Sequence, residues 1–168
     1  MPINFFEAKC SETTNAALFG LCDDPPPDKN PAYVDYDGVN KAGWIAEVDN
    51  KGGIDVTFTA IDNCIEILRA DGTEESRCEG YLTYPDTIIF VELKDRESRG
   101  WVAKGRDQLL KTIELFESNH GADLYVHRRA HIANRQRPAF MVSYQQVIND
   151  FKIANGFTLG IQSKIEIL

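Results

Sequence analysis

The sequence predicts an α/β fold in which a central mixed β-sheet is flanked by helices. Three observations carry that expectation. Residues 44–68 carry strand-like apolar patterns broken by turn signals, residues 81–94 read as a β-hairpin, and residues 101–119 repeat apolar positions at helical spacing. At 168 residues the chain is expected to form one domain, 1–168, with a sizeable core.

Phe5, Phe6, Ala8, Ala16, Ala17, Leu18 and Phe19, closing at Gly20, suggest a first helix over residues 3–20. Residues 23–40 are rich in Asp, Pro, Asn and Gly, with Pro25-Pro26-Pro27, and read as a loop. In it Tyr33, Tyr36, Asp35 and Asp37 either border a cleft or fill the surface. Trp44–Val48 then reads as a strand, Asn50–Gly53 as a hairpin turn, and Ile54, Val56, Phe58 and Ala60 as the apolar face of a second strand. Cys64–Leu68 reads as a third, closed by Asp71-Gly72.

The next hairpin is the one around which the chain is organised. Tyr81-Leu82 and Ile88-Ile89-Phe90-Val91 flank Tyr84-Pro85-Asp86-Thr87, and Pro followed by Asp suits the centre of a tight turn. The apolar run predicts a strand buried on both faces. A helix from about Trp101 to Asn119 follows, with Leu109, Ile113 and Phe116 on one stripe. Ala122–Val126 reads as a strand, Ser143–Ala154 as a second helix, and Phe157–Ile167 as a last strand broken at Gly160.

Composition excludes some classes. No apolar run approaches the roughly 20 residues of a membrane span, and Met-Pro-Ile-Asn-Phe-Phe-Glu has no signal-peptide character, so a cytoplasmic protein without a membrane partner is expected. The four cysteines (Cys10, Cys22, Cys64, Cys78) lack metal-ligand spacing and are expected as reduced thiols. The net charge of −8 argues against a non-specific coat on nucleic acid. Charge is uneven, however: Lys94–Arg137 holds ten Lys or Arg against six Asp or Glu, and the remainder eight against twenty.

Chemistry concentrates at the end of the central hairpin. The buried run leads into Glu92-Leu93-Lys94, and alternation places Glu92 and Lys94 on one face. Counting back from the turn, Glu79 lies across from Glu92. Two carboxylates at one place repel unless a cation or shared proton intervenes. Oxygen ligands suit a hard cation such as magnesium, and a neighbouring lysine can orient a metal-bound water or offset phosphate charge. That combination is suited to metal-dependent phosphodiester hydrolysis.

Glu79…Glu92-Leu93-Lys94 resembles the PD-(D/E)XK nuclease superfamily, strongest over residues 77–127, where a hairpin carries the motif acids and the lysine. The resemblance implies a restriction-endonuclease-like sandwich and a Mg2+ (or Mn2+) dependent nuclease acting on DNA. Glu79, Glu92 and the Leu93 carbonyl would hold the metal, and Lys94 would position the attacking water. Gln108, on the following helix, corresponds to a glutamine that faces the site in many members. The family usually has aspartate where Glu79 stands, one methylene shorter. Pro85-Asp86 spells the family motif, but its place in the turn removes it from Glu92. Asp55 and Asp62 are alternative ligands if Glu79 is not one, and Glu7 either joins the site or is a solvated acid.

Lys104, Arg106 and Lys111 either meet a phosphate backbone or pair with Asp107 and Glu114. The basic stretch 127–137 supplies Arg128, Arg129, Arg135 and Arg137 as candidate nucleic-acid contacts. Beyond nucleic acid, a homodimer or a protein partner fits the same scaffold. The alternative function is a binding, immunity or regulatory module with little catalysis, which the glutamate at position 79 and the acidic balance favour.

Overall fold

The computed structural model describes residues 2–138 and 142–168. Its strands are β1 (Ser11–Thr14), β2 (Leu18–Cys22), β3 (Tyr33–Asp35), β4 (Ala46–Asp49), β5 (Val56–Ala60), β6 (Gly80–Tyr84), β7 (Thr87–Lys94), β8 (His127–Asn134), β9 (Thr158–Ile161) and β10 (Lys164–Glu166). Its α-helices are α1 (Trp101–His120) and α2 (Gln145–Asn155). Two mixed sheets result, a six-stranded one ordered β1-β5-β6-β7-β8-β9 and a four-stranded one ordered β10-β4-β2-β3.

The α/β class is as expected, but the layering differs from a single sheet with helices on both faces. Ile88 and Phe90 of β7 join a core with Leu109, Ile113 and Phe116 of α1 and with Phe151 of α2. Ile89, Val91 and Leu93 join a second core with Phe19, Leu21, Val48 and Ile165 of the smaller sheet. The helices therefore cover one face and a second sheet the other. All eight residues of β7 are buried, as its unbroken apolar run predicts.

Residues 3–20 do not form the expected helix. Ala8–Cys10 is a short 3-10 turn, and the chain then enters β1 and β2. Thr13 and Thr14 are β-branched and suit a strand. The Ser11 and Thr13 hydroxyls meet those of Thr59 and Thr57 across the ladder at 2.9 and 2.7 Å. Nor do β4 and β5 form a hairpin across Asn50–Gly53. Instead β5 pairs with β1 and β4 with β2, so both pairs pass from one sheet to the other at one corner. Asn50, fully buried, locks that corner: its Nδ2 donates to the carbonyls of Ala16 and Ile54, and its backbone N–H to that of Ala17.

Three further expectations are corrected. Residues 61–68 form turns, with one isolated bridge between Leu68 and Glu74 around the Asp71-Gly72 turn. Residues 23–40 are not all loop, because Tyr33–Asp35 adds a short edge strand to the smaller sheet. Finally, the strand expected over 122–126 begins at His127, so the basic stretch is itself β8 as far as Asn134, with Arg135 and Arg137 in the turn beyond it. In place of four reduced cysteines, Cys10 and Cys64 form a disulfide, while Cys22 and Cys78 are buried free thiols. No helix among the described residues is long and apolar enough to cross a membrane.

Candidate active site

The β6–β7 hairpin sets the site. Tyr84 pairs with Thr87, leaving Pro85-Asp86 as the turn, and Asp86 takes φ 61°. Proline's fixed negative φ followed by a positive φ is what a type II turn asks of its central residues. At the other end Gly80 pairs with Val91, so the next step places Glu79 opposite Glu92. The turn acid Asp86 is therefore at the far end of the hairpin from Glu92, as the sequence suggested.

Glu92 and Lys94 continue the row of Ile88 and Phe90 and face α1. That helix can approach because residue 105 is glycine. A Cβ there would stand 3.1 Å from Ile132 Cγ2 and 3.4 Å from Glu92 Cγ. Glu92 is 1% exposed and Lys94 7%. The Lys94 ammonium sits 2.7 Å from Glu92 Oε1 and donates to Gln108 Oε1 at 2.5 Å. Gln108 Nε2 in turn donates to the Arg77 carbonyl at 3.1 Å, and the Thr112 hydroxyl accepts from the Cys78 N–H at 2.8 Å. The helix thus stitches down residues 77–78 and holds the lysine. All three expected residues of this relay, Glu92, Lys94 and Gln108, meet.

Burial, then Glu92, Asp23 and Asp62, raise the Glu79 carboxyl to about 9, with Lys94 opposing. Burial likewise raises Glu92 to about 7 against the attraction of Lys94. One oxygen of each, Glu79 Oε2 and Glu92 Oε2, is buried with no hydrogen-bond partner. Unpartnered buried carboxylate oxygens are costly and call for a proton or a cation. Among the described residues no cluster of three or more His, Cys, Asp and Glu side chains forms a ready coordination shell. The pair fits a hard cation that keeps several of its waters, such as magnesium. Leu93 also borders the cleft, with its side chain in the inter-sheet core.

The site opens into a cleft of about 560 Å³. Glu79, Glu92, Lys94 and Gln108 line it, together with the Asp23–Lys29 segment, Asp62, Arg77, Arg96 and Lys104. Asp62, weighed as an alternative ligand, does line the cleft but is held by Arg77 Nε at 2.8 Å. Asp55 and Glu7 do not border it. Asp35 accepts from Trp44 Nε1 and Asn40 Nδ2 and so braces its own loop instead. The missed residue is Asp23, raised to about 6 by burial and by Asp62 and Asp24. Only its following proline run hinted at a fixed loop.

The four candidate arginines do not form one surface. Arg128 and Arg129 pair with Ile88 and Ile89, while Lys94 pairs with Asn134. At about 3.3 Å per residue, six residues separate Arg128 from Asn134 by roughly 20 Å along β8. Arg128 meets Glu117 and stacks over Phe157, and Arg129 donates to Tyr84 and the Glu166 carbonyl. Arg135, nearer the site, is paired with Asp95. Arg137 lines a small groove with Arg99, Trp101 and Tyr144. Arg106 and Lys111 pair with Asp107 and Glu114, whereas Lys104 borders the cleft.

Comparison of the chain with family profiles, with characterised proteins and with solved structures finds no match.

Proposed function

We propose that the protein is a metal-dependent nuclease that hydrolyses phosphodiester bonds, with DNA the expected substrate, on a core resembling the restriction-endonuclease-like sandwich. The observation that supports this reading most is the pair of unpartnered oxygens of Glu79 and Glu92 beside a buried lysine, at the floor of an open cleft. Glu79 and Glu92, with the Leu93 carbonyl, would hold Mg2+ or Mn2+. When bound, such an ion supplies Lewis-acid polarisation of a phosphoryl oxygen and a more acidic water. Lys94 then has the role of orienting the attacking water and offsetting charge on the phosphate. Gln108 keeps that amine in place, and the buried floor excludes bulk water from it.

The test is calorimetric titration with magnesium and manganese, followed by cleavage assays on labelled DNA. Metal binding with hydrolysis supports the nuclease, and metal binding that depends on Glu92 is its minimum requirement. One observation favours the second reading, a binding or regulatory module: Lys94 already serves Glu92 as counter-ion, so the fold tolerates the metal-free state. Absence of metal binding with intact folding would select that reading.

A further inference from the structure

We infer that the cleft accepts one nucleic-acid strand and turns away a second backbone, an inference that rests on the nuclease reading above. Several cations of the chain are already committed. Arg77, Arg106, Lys111, Arg128 and Arg135 each hold a carboxylate. Among the described residues that line the cleft or the groove beside it, Lys29, Arg96, Arg99, Lys104 and Arg137 make no ion pair. Arg96 and Lys104 line the cleft, and the chain runs from Arg96 directly into a second groove lined by Arg99 and Arg137.

The position of Arg96 is built rather than incidental. Asn134, fully buried, accepts from the Arg96 N–H at 3.1 Å and donates to its carbonyl at 2.8 Å. That amide clamp fixes the backbone immediately after Lys94. The adjoining groove, about 270 Å³, contributes an aromatic surface. Trp101 is buried and meets the half-buried Tyr144 edge-on, with ring centroids 5.8 Å apart. Cations that follow a backbone, beside an aromatic ring on which a base can stack, are the usual equipment for single strands.

The rest of the lining has a more acidic character. The Asp23–Lys29 segment brings Asp23, Asp24 and Asp28 against the single cation Lys29, and Asp62 and Glu74 are already paired with Arg77. A duplex presents two phosphate backbones, with one charge per roughly 1.7 Å of axis. One backbone can follow Arg96 and Lys104, but a second brought into the same cleft shares a lining that also holds Asp23, Asp24 and Asp28. A flexible single strand can also bring a phosphate down to Glu92 and Lys94, which are only 1% and 7% exposed.

The experiment uses one oligonucleotide sequence as a single strand and as a blunt duplex. Binding is measured by fluorescence anisotropy on the metal-free native chain, and cleavage with magnesium or manganese. The single strand is expected to bind at least about tenfold more tightly, a difference of roughly 1.4 kcal/mol, and to be cut preferentially. Tyr144→Ala should weaken single-strand binding by roughly fivefold to a hundredfold while Tyr144→Phe retains it. Arg99→Ala with Arg137→Ala should flatten the salt slope by about 0.7 per lost contact. Replacing Asp23, Asp24 and Asp28 by Asn should narrow the preference by admitting the duplex. Equal binding and cleavage of both forms, or wild-type binding by Tyr144→Ala, would overturn the single-strand assignment and leave the nuclease reading standing. If neither form is bound or cut, both readings fall.

Discussion

Lys94 and Gln108, separated by 14 residues in sequence, meet at 2.5 Å across the interface between β7 and α1. With Glu92 at 2.7 Å on its other side, the lysine is held at both ends of its hydrogen-bonding range. Lys94→Met is therefore expected to abolish hydrolysis and to cost stability as well. It strands a carboxylate that is 1% exposed, a loss of about 3–5 kcal/mol. Adding Glu92→Gln should recover much of that stability without restoring activity. Urea unfolding of the single and double variants measures both parts, and full stability in Lys94→Met would show that the pair is not buried as drawn.

Glu79 and Asp86 are the two candidate acids for the first ligand position, and the hairpin separates them. Glu79→Ala should lose magnesium and manganese affinity. Asp86→Gly, which suits the φ of 61°, should keep both affinity and stability. Calorimetry on the two variants decides, and the reverse pattern would reinstate the Pro85-Asp86 match. Glu79→Asp, which shortens the side chain by one methylene, should change magnesium affinity more than manganese affinity.

Stability of the metal-free protein should fall as pH rises above neutrality. The carboxyls of Glu79 and Glu92, ordinarily near 4.5, are raised by burial to about 9 and about 7. The folded state therefore holds protons that the unfolded chain has released, and their stabilising effect is lost through that window. His131 acts in the opposite direction. Burial and then Arg129 lower it from 6.5 to about 3, so its contribution is lost as pH falls below 6.5. From pH 6.5 to 9 only the acids oppose folding, at about 1.4 kcal/mol per pH unit for each proton. Glu79→Gln should flatten that decline. Magnesium competes with the protons and should stabilise more at pH 9 than at pH 6. An unaltered slope in Glu79→Gln would argue that Glu79 ionises normally.

Gly105 sets how closely α1 approaches β7 and β8. Gly105→Leu must displace Ile132 and Glu92, with an overpacking cost of about 1–3 kcal/mol, and should weaken metal binding along with stability. Gly105→Ala, whose Cβ stands 3.1 Å from Ile132, should have a smaller effect. Metal affinity unchanged in Gly105→Leu would show that the helix does not set the position of Glu92.

The Cys10–Cys64 disulfide joins residues 54 apart and ties the N-terminal 3-10 turn to the turn after β5. A loop of that length implies about 4 kcal/mol of stabilisation by chain entropy. Cys10→Ser with Cys64→Ser should lower the melting temperature. Thiol titration of the unfolded native chain should find two thiols before reduction and four after.

The acid–lysine relay could be read in the sequence because it depends on local rules. Alternation along a strand puts Glu92 and Lys94 on one face, and the Pro85-Asp86 turn sets Glu79 against Glu92, whereas Gln108 was expected only from the family resemblance. Each rule acts over a few residues, so each survives without knowledge of the rest of the chain. The same holds for α1, whose stripe of Leu109, Ile113 and Phe116 needs only a partner surface of some kind. What faces that stripe, and what faces the other side of β7, was decided by long-range contacts. Thr13 and Thr14 enter a strand because β5 is there to pair with them. β4 and β5 part at Asn50 because its buried amide bonds Ala16 and Ile54 rather than closing a hairpin. Asp23 and Arg96 reach one cleft from the ends of strands in different sheets, although they stand 73 positions apart. Most of the basic run, His127–Asn134, became a strand pairing with β7, and its direction carried Arg128 and Arg129 away from the lysine that composition had placed beside them.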